Sequence, residues 1–304
     1  MRILITGANG LVGKNLIEDM HSSKNKIIAT ASDTKKLAEF LDRNNLKGIE
    51  VKELDVLNYK KCDFLIKEID AVVHLAAITD VPFSLKHPKK FIDVNYNGTV
   101  NVLESMRKNK VKKIIFPSTQ AVYGNNINSK ETDVKNISPL DFYSLSKLMC
   151  EETIKVYSNN YAINYVIFRA SHLYGKHQNK GILRLLLNRM INSDVVEIGN
   201  NVKRDFLNVK DFIGAIIMAV NYEKNGLFNI GSGVSTSIKE AIEMIEESLN
   251  KNVKITVNKS LIRDSRIERW NEMANISKLK KFGWKSKYDL GTWVGQNVSH
   301  SSSR

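Results

Sequence analysis

Tyr143-Ser144-Leu145-Ser146-Lys147 sets a phenol and an amine four residues apart. On a helix the two side chains share a face. An ammonium ~4 Å from a phenol favours the phenolate by roughly 4 kcal/mol at an effective dielectric near 20. A phenol pKa of about 10 then falls by about three units, so Tyr143 could take a proton from a hydroxyl at neutral pH. The spacing alone is common on protein surfaces. It gains weight from Ser118-Thr119-Gln120-Ala121-Val122-Tyr123-Gly124, which follows the apolar run Ile114–Phe116. Hydroxyls at the carboxyl end of a strand lie where open parallel sheets bind ligands.

A second chemical feature opens the chain. Ile3-Leu4-Ile5-Thr6-Gly7-Ala8-Asn9-Gly10-Leu11-Val12-Gly13 reads as a strand, a tight turn and a helix start. Gly7 frees the turn of a Cβ, Gly10 lets the backbone approach a pyrophosphate, and Gly13 lets the helix pack on the sheet. The spacing G-x-x-G-x-x-G is a variant of the dinucleotide fingerprint. A carboxylate about 20 residues on would bind the adenosine ribose. Asp33 stands at that distance but past the expected strand end, where it could equally cap the helix beginning at Thr34. Ser32, Lys35 and Lys36 could instead contact a 2′-phosphate, so NAD and NADP both remain open.

The elements that must position these groups alternate. Expected strands are Arg2–Thr6, Lys26–Ala31, Ile49–Leu54, Ala71–Leu75, Lys113–Pro117 and Asn164–Arg169, with helices at Leu11–Met20, Thr34–Arg43, Lys90–Asn109 and Phe142–Asn159. Near-continuous apolar strands between helices predict an α/β fold, a Rossmann-type doubly wound parallel sheet. After Gly175 the rhythm loosens. Helices at Ile182–Asn192, Val209–Asn221 and Ser237–Leu249, with strands at Val195–Ile198, Leu227–Ile230 and Val253–Val257, predict a smaller C-terminal α/β substrate-binding lobe. The expected division is 1–175 and 176–304, some later segments returning to the first sheet. Ser299–Arg304 is polar and expected to fray.

With 304 residues, 42% apolar and 26% charged, the chain can bury a core. No apolar run approaches ~18 residues, which excludes a spanning helix, and the strand-like start does not resemble a secretory signal. Two cysteines, Cys62 and Cys150, are too few for a disulfide framework, and no His/Cys/carboxylate cluster suggests a metal. The cytoplasm is the expected location. The net charge of +14 is scattered and lysine-dominated, without interleaved aromatics, so it predicts solvated surface rather than a nucleic-acid groove. It would also favour an anionic small substrate.

In order along nearly the whole chain, TGANGLVG (Thr6–Gly13), LDV (Leu54–Val56), HLAA (His74–Ala77), NYNGT (Asn95–Thr99), STQAVYG (Ser118–Gly124), YSLSK (Tyr143–Lys147), FRASHLYG (Phe168–Gly175), RDFLNVKD (Arg204–Asp211), NIGSG (Asn229–Gly233) and ANISK…FGW ending at Trp284 resemble the extended short-chain dehydrogenase/reductase family. The resemblance is to its nucleotide-sugar epimerases, dehydratases and reductases. It implies that Thr119, Tyr143 and Lys147 are catalytic, Lys147 also holding the nicotinamide ribose. It implies cofactor contacts from Gly7, Asn9, Gly10, Leu11, Val12, Gly13, Ser32, Asp33, Asp55, Val56, Leu75, Ala76, Ala77 and Ser171. Substrate contacts would come from Thr79, Ser118, Thr119, Tyr143 and His172, with Arg204 and Arg266 or Arg269 on the diphosphate. Asn95 would tie the region after the fourth strand to the neighbouring helix, and His74 would be structural.

Three departures matter. Ala31 takes the place of the ribose-binding acid of NAD-dependent members. Gln120-Ala121 follow Thr119 where 4,6-dehydratases carry the Asp-Glu that eliminates water, which speaks against dehydration. His172 replaces a substrate-contacting asparagine. The expected function is hydride transfer at a ring carbon, C4, of a nucleoside-diphosphate sugar with NAD or NADP. Epimerisation is favoured over a reductase or dehydrogenase, and a redox-sensing NADP-binding protein is the non-enzymatic rival. A homodimer is expected through the Lys90–Asn109 and Phe142–Asn159 segments, using Val94, Val102, Met106, Leu148 and Ile154; neither nucleic acid nor membrane is an expected partner.

Overall fold

The computed structural model describes residues 1–299. In chain order the elements are β1 (Arg2–Thr6), α1 (Leu11–Met20), β2 (Lys26–Ala31), α2 (Thr34–Arg43), β3 (Glu50–Glu53), α3 (Tyr59–Leu65) and β4 (Ala71–His74). There follow α4 (Val81–Lys86), α5 (Pro88–Phe91), a π-helical turn at Ile92–Asn97, α6 (Gly98–Lys108), β5 (Lys113–Thr119), α7 (Phe142–Tyr161) and β6 (Asn164–Ala170). The remainder is β7 (His172–Tyr174), α8 (Ile182–Asn192), β8 (Val195–Ile198), β9 (Lys203–Arg204), β10 (Phe206–Asn208), α9 (Val209–Val220), β11 (Gly226–Ile230), β12 (Thr236–Ser237), α10 (Ile238–Leu249), β13 (Lys254–Val257), α11 (Ser277–Lys281) and α12 (Leu290–Ser299).

Seven strands form one sheet in the order β11-β6-β5-β4-β1-β2-β3. Ile3 pairs in parallel with Ile27 on one side and Ala71 on the other, and β2–β3 and β4–β5 are parallel too. The strand order reverses between β1 and β4, which opens a crevice beyond their carboxyl ends. β1 and β4 are apolar along nearly their whole length because helices cover both faces. The doubly wound sheet expected from the alternation is present.

The chain forms two compact units. One is Met1–Val122 with Pro139–Arg169 and Ile213–Phe228; the other is Tyr123–Ser138 with Ala170–Phe212 and the chain from Asn229 onward. Each is assembled from separate segments: Ile213–Phe228 returns to the first unit, and Tyr123–Ser138 belongs to the second. The first holds a core that includes Leu4, Val72, Val102, Met106, Ile114 and Ile154. The second holds the two-stranded ladders β7–β10, β9–β12 and β8–β13, and a core that includes Leu186, Leu187, Val196, Ile242 and Ile245.

Two expectations are corrected here. The helix expected over Lys90–Asn109 is interrupted by the π turn, where Asn95 sends its side chain to the backbone of Ile78 while its carbonyl accepts from Thr99 Oγ1 at 2.6 Å. Local pattern carries no trace of that distant anchor. Val102, Met106 and Ile154, expected on a dimer face, are fully buried in the core of their own subunit. The expected frayed tail falls, from His300 on, outside the described residues.

Candidate active site

The first unit carries the glycine turn. Gly7 has φ +65°, and a Cβ there would lie 2.7 Å from the Ala76 nitrogen. At Gly13 a Cβ would lie 2.6 Å from the Ala8 Cα, so β1 and α1 approach more closely than any side chain allows. The first turn of α1 has neither a side-chain cap at Gly10 nor an acidic residue, which leaves its N–H groups and positive dipole end for an anion. Asn9 Oδ1 is buried without a hydrogen-bond partner. Thr6 closes the opposite wall: its Oγ1 accepts from the Ala76 amide at 3.1 Å and its carbonyl from Leu75 at 3.2 Å. These features fit a bound pyrophosphate.

Around the turn, Leu11, Val12 and Leu75–Ala77 are half-buried, Val56 is buried, and Asp55, Ser32 and Thr79 are exposed. Asp33 accepts from the Lys36 amide at 3.2 Å and pairs with its ammonium at 3.0 Å. It therefore caps α2, one of the two roles its position allows.

The other corner of the unit is built on α7. Asp141 caps the helix by accepting from the Ser144 amide at 2.8 Å, which fixes the first turn and Tyr143 within it. A hydrogen-bond chain steadies that turn: Asn95 Nδ2 donates to Ser146 Oγ at 3.0 Å, and Ser146 Oγ donates to the Tyr143 carbonyl at 2.8 Å. Asn95 thus ties the segment after β4 to a helix, as expected. One turn beyond the half-buried Tyr143, Lys147 is 4% exposed, its Nζ 4.2 Å from the Phe116 ring centroid. No carboxylate lies within ion-pair distance of it among the described residues. Burial lowers its pKa to about 8, against the opposing influence of Cys150 and Glu151.

Thr119 ends β5 and is nearly buried, its Oγ1 accepting from the Ala121 amide at 3.2 Å. Ser118, expected to touch substrate, instead donates its hydroxyl to the buried Glu151, which Arg169 holds at 2.7 Å. Its side chain is used inside the fold. Gln120 Nε2 donates to the Arg169 carbonyl at 2.9 Å. His74 is structural: burial, and then the Lys147 charge, lower its pKa to about 3, and its ring nitrogens meet Thr6 Oγ1 and Thr99 Oγ1.

The second unit gathers charge. His172 Nε2 lies 2.7 Å from Glu272 Oε2, Arg204 Nε 3.0 Å from the same oxygen, and Arg269 Nε 2.8 Å from Oε1. Arg204 also donates to Glu268 at 2.8 Å and to the Arg269 carbonyl. Burial resists ionisation of Glu272, but His172 and both guanidiniums outweigh it and hold the carboxyl below its usual range. Both arginines expected on a diphosphate are thus buried and engaged by carboxylates. Arg266 stands apart on the surface, paired with Asp264. Ser171 donates to Asp205 at 3.2 Å. Arg263, which belongs to none of the matched motifs, is half-buried beside this cluster, where desolvation, together with the charges of Arg204 and Arg269, lowers its pKa. It makes no hydrogen bond or ion pair among the described residues. Its only sequence signal is the run of arginines at 263, 266 and 269.

Among the described residues no group of three or more His, Cys, Asp or Glu could hold a metal ion, and no helix is long and apolar enough to cross a membrane.

Comparison with known proteins identifies relatives of the chain. A candidate UDP-glucose 4-epimerase of Methanocaldococcus jannaschii is 32% identical over 98% of this chain and 97% of its own length. The dTDP-4-dehydro-6-deoxyglucose reductase of Escherichia coli is 29% identical over 82% of each chain. Among solved structures, a mutant UDP-glucuronic acid 4-epimerase from Bacillus cereus, in complex with a fluorinated UDP-sugar and NAD, superposes with a TM-score of 0.88 at 25% identity, over 100% of this chain and 99% of its own. The family model described as "NAD dependent epimerase/dehydratase family" matches residues 3–231, a span that takes in the glycine turn, Thr119, Tyr143 and Lys147. With that match and a relative of 32% identity over almost the full length, the chain belongs to the NAD-dependent epimerase/dehydratase family.

Proposed function

We propose that the protein is a 4-epimerase of a nucleoside-diphosphate sugar working with a bound nicotinamide dinucleotide, NAD or NADP. The observation that carries this reading is Lys147: a buried ammonium without a carboxylate partner, one helical turn from Tyr143. Such a charge is satisfied by a phenolate. Tyr143 takes the proton of the sugar C4 hydroxyl and later returns it, and Thr119 orients that oxygen. The dinucleotide, when bound across the Gly7–Gly13 turn, supplies the acceptor that removes hydride from C4 and gives it back. Lys147 keeps the phenolate form accessible and holds the nicotinamide ribose. Asp55 meets the adenine, and Leu75–Ala77 line the nicotinamide side.

Dehydration is disfavoured because Gln120 is turned to the Arg169 carbonyl and Ala121 carries no acid. For the diphosphate, the arginine with donors to spare is Arg263, while Arg204 and Arg269 add positive potential and hold Glu272 against His172. The first unit is thus the cofactor and catalytic part, and the second the substrate-binding part. A cytoplasmic homodimer completes the proposal, using outward residues of α7 such as Leu145, Val156 and Tyr161 in place of the buried ones.

The test is a panel of UDP-, GDP-, CDP- and dTDP-sugars without added cofactor, followed at C4 by NMR. Inverted product with no net redox change is expected. Stoichiometric reduced cofactor without inversion would make the protein a dehydrogenase or reductase instead. Light scattering that gives a mass near 34.5 kDa would reject the dimer.

A further inference from the structure

Between β5, β6 and α7 lie three polar side chains that the proposed chemistry does not use directly. Ser118 Oγ donates to Glu151 Oε1; Arg169 donates from Nη2 to Oε2 at 2.7 Å and from Nε to both oxygens at 3.1 Å. The pair is sealed off, with side-chain exposures of 1% for Arg169 and 0% for Glu151. A buried ion pair is weak evidence for stability, since well-packed apolar residues would serve as well. Its position is more telling. Ser118 immediately precedes Thr119 at the end of β5, and Glu151 continues the stripe Tyr143, Lys147 along α7, each a turn apart.

We infer that Glu151, clamped by Arg169, is a positioning residue: it fixes the Ser118–Thr119 strand end against α7 and sustains the charge of Lys147. The inference rests on the proposed roles of Tyr143 and Lys147. The groups facing Lys147 are few. From β4 comes His74, held neutral; from β5 the Phe116 ring; from α7 itself Tyr143, the un-ionised thiol of Cys150 and the carboxylate of Glu151. Glu151 is therefore the anion among them in the absence of a phenolate. Without it, the buried ammonium would lose its proton at a lower pH, and the alkaline limb of the activity profile would move down.

Glu151→Gln keeps an acceptor for Ser118 but removes the charge. Expected are cofactor and sugar binding within about two-fold, a kcat loss of roughly ten-fold from misplaced groups, and an alkaline limb lower by about one pH unit or more. Ser118→Ala should lower kcat with KM unchanged, whereas a substrate-contacting Ser118 would raise KM. Wild-type kcat and an unmoved limb in Glu151→Gln would overturn the inference, and so would Ser118→Ala raising KM at unchanged kcat. If Glu151→Gln does not fold, Glu151→Met/Arg169→Leu removes both members of the ion pair and leaves neither unpaired, and a wild-type profile there is equally fatal. Tyr143→Phe, assayed in parallel on the best substrate of the panel, separates the two failures. An active Tyr143→Phe defeats the acid/base reading itself, while an inactive one beside a wild-type-like Glu151→Gln defeats only the positioning role.

Discussion

The charge cluster of the second unit and the buried lysine of the first are held in opposite ways. In the second, Arg204, Arg269, Glu268, Glu272 and His172 satisfy one another, each of the five within hydrogen-bonding distance of a partner of opposite type. In the first, Arg169 and Glu151 satisfy each other in the same way, but Lys147 is buried over an aromatic ring with no ion pair. A satisfied cluster shapes its surroundings and resists change. An unsatisfied ion is held at a cost that something else must offset, and that is the condition of a group kept ready for chemistry.

The sharpest way to break this contrast is Tyr143→Phe, which should bind cofactor normally and lose kcat by ~10² to 10⁴. Next, Glu272→Gln should destabilise the protein by about 3–5 kcal/mol in denaturant titration, because it leaves buried guanidiniums uncompensated. Lys147→Met should do the reverse: turnover falls, yet stability without cofactor at pH 7 rises by about 2–3 kcal/mol as an unpaired buried cation disappears. The sign can be checked against pH. The folded pKa of Lys147, about 8, lies below its ordinary 10.5, so wild-type stability should climb between those values and the Lys147→Met protein should lack that climb. A smaller effect is expected for Arg263→Ala, a KM rise of about ten-fold for the nucleotide sugar at unchanged melting temperature, as one charge-assisted bond is lost. Arg266→Ala, altering only an exposed pair, should change neither.

Much of this was legible in advance. β1, α1, β2, α2, α8 and β8 end at the residues the periodicity indicates, because each is bounded by its own turn chemistry and buries one continuous face. The glycine turn and the Tyr143–Lys147 stripe were legible for the same reason, being local. What escaped was non-local. Glu151 and Arg169 are eighteen residues apart on different elements, and nothing in either neighbourhood says that Ser118 will join them. The one hint was a buried helix face made of Ser144, Ser146, Lys147 and Glu151 where apolar residues belong. Arg263 lies in an irregular stretch with no period to read, and the π turn at Asn95 answers to a loop seventeen residues earlier.

The edge strand β11 has a consequence for how the protein can be made and cut. It follows in sequence the whole of the second unit's first two segments, yet it lies beside β6 at the border of the large sheet. On the ribosome the sheet therefore waits for residues 226–230 before its last edge is covered. A fragment ending near residue 175 would present the bare, apolar β6, an invitation to pair with another chain. Such a fragment should aggregate, whereas one ending after β11 should not do so by that route.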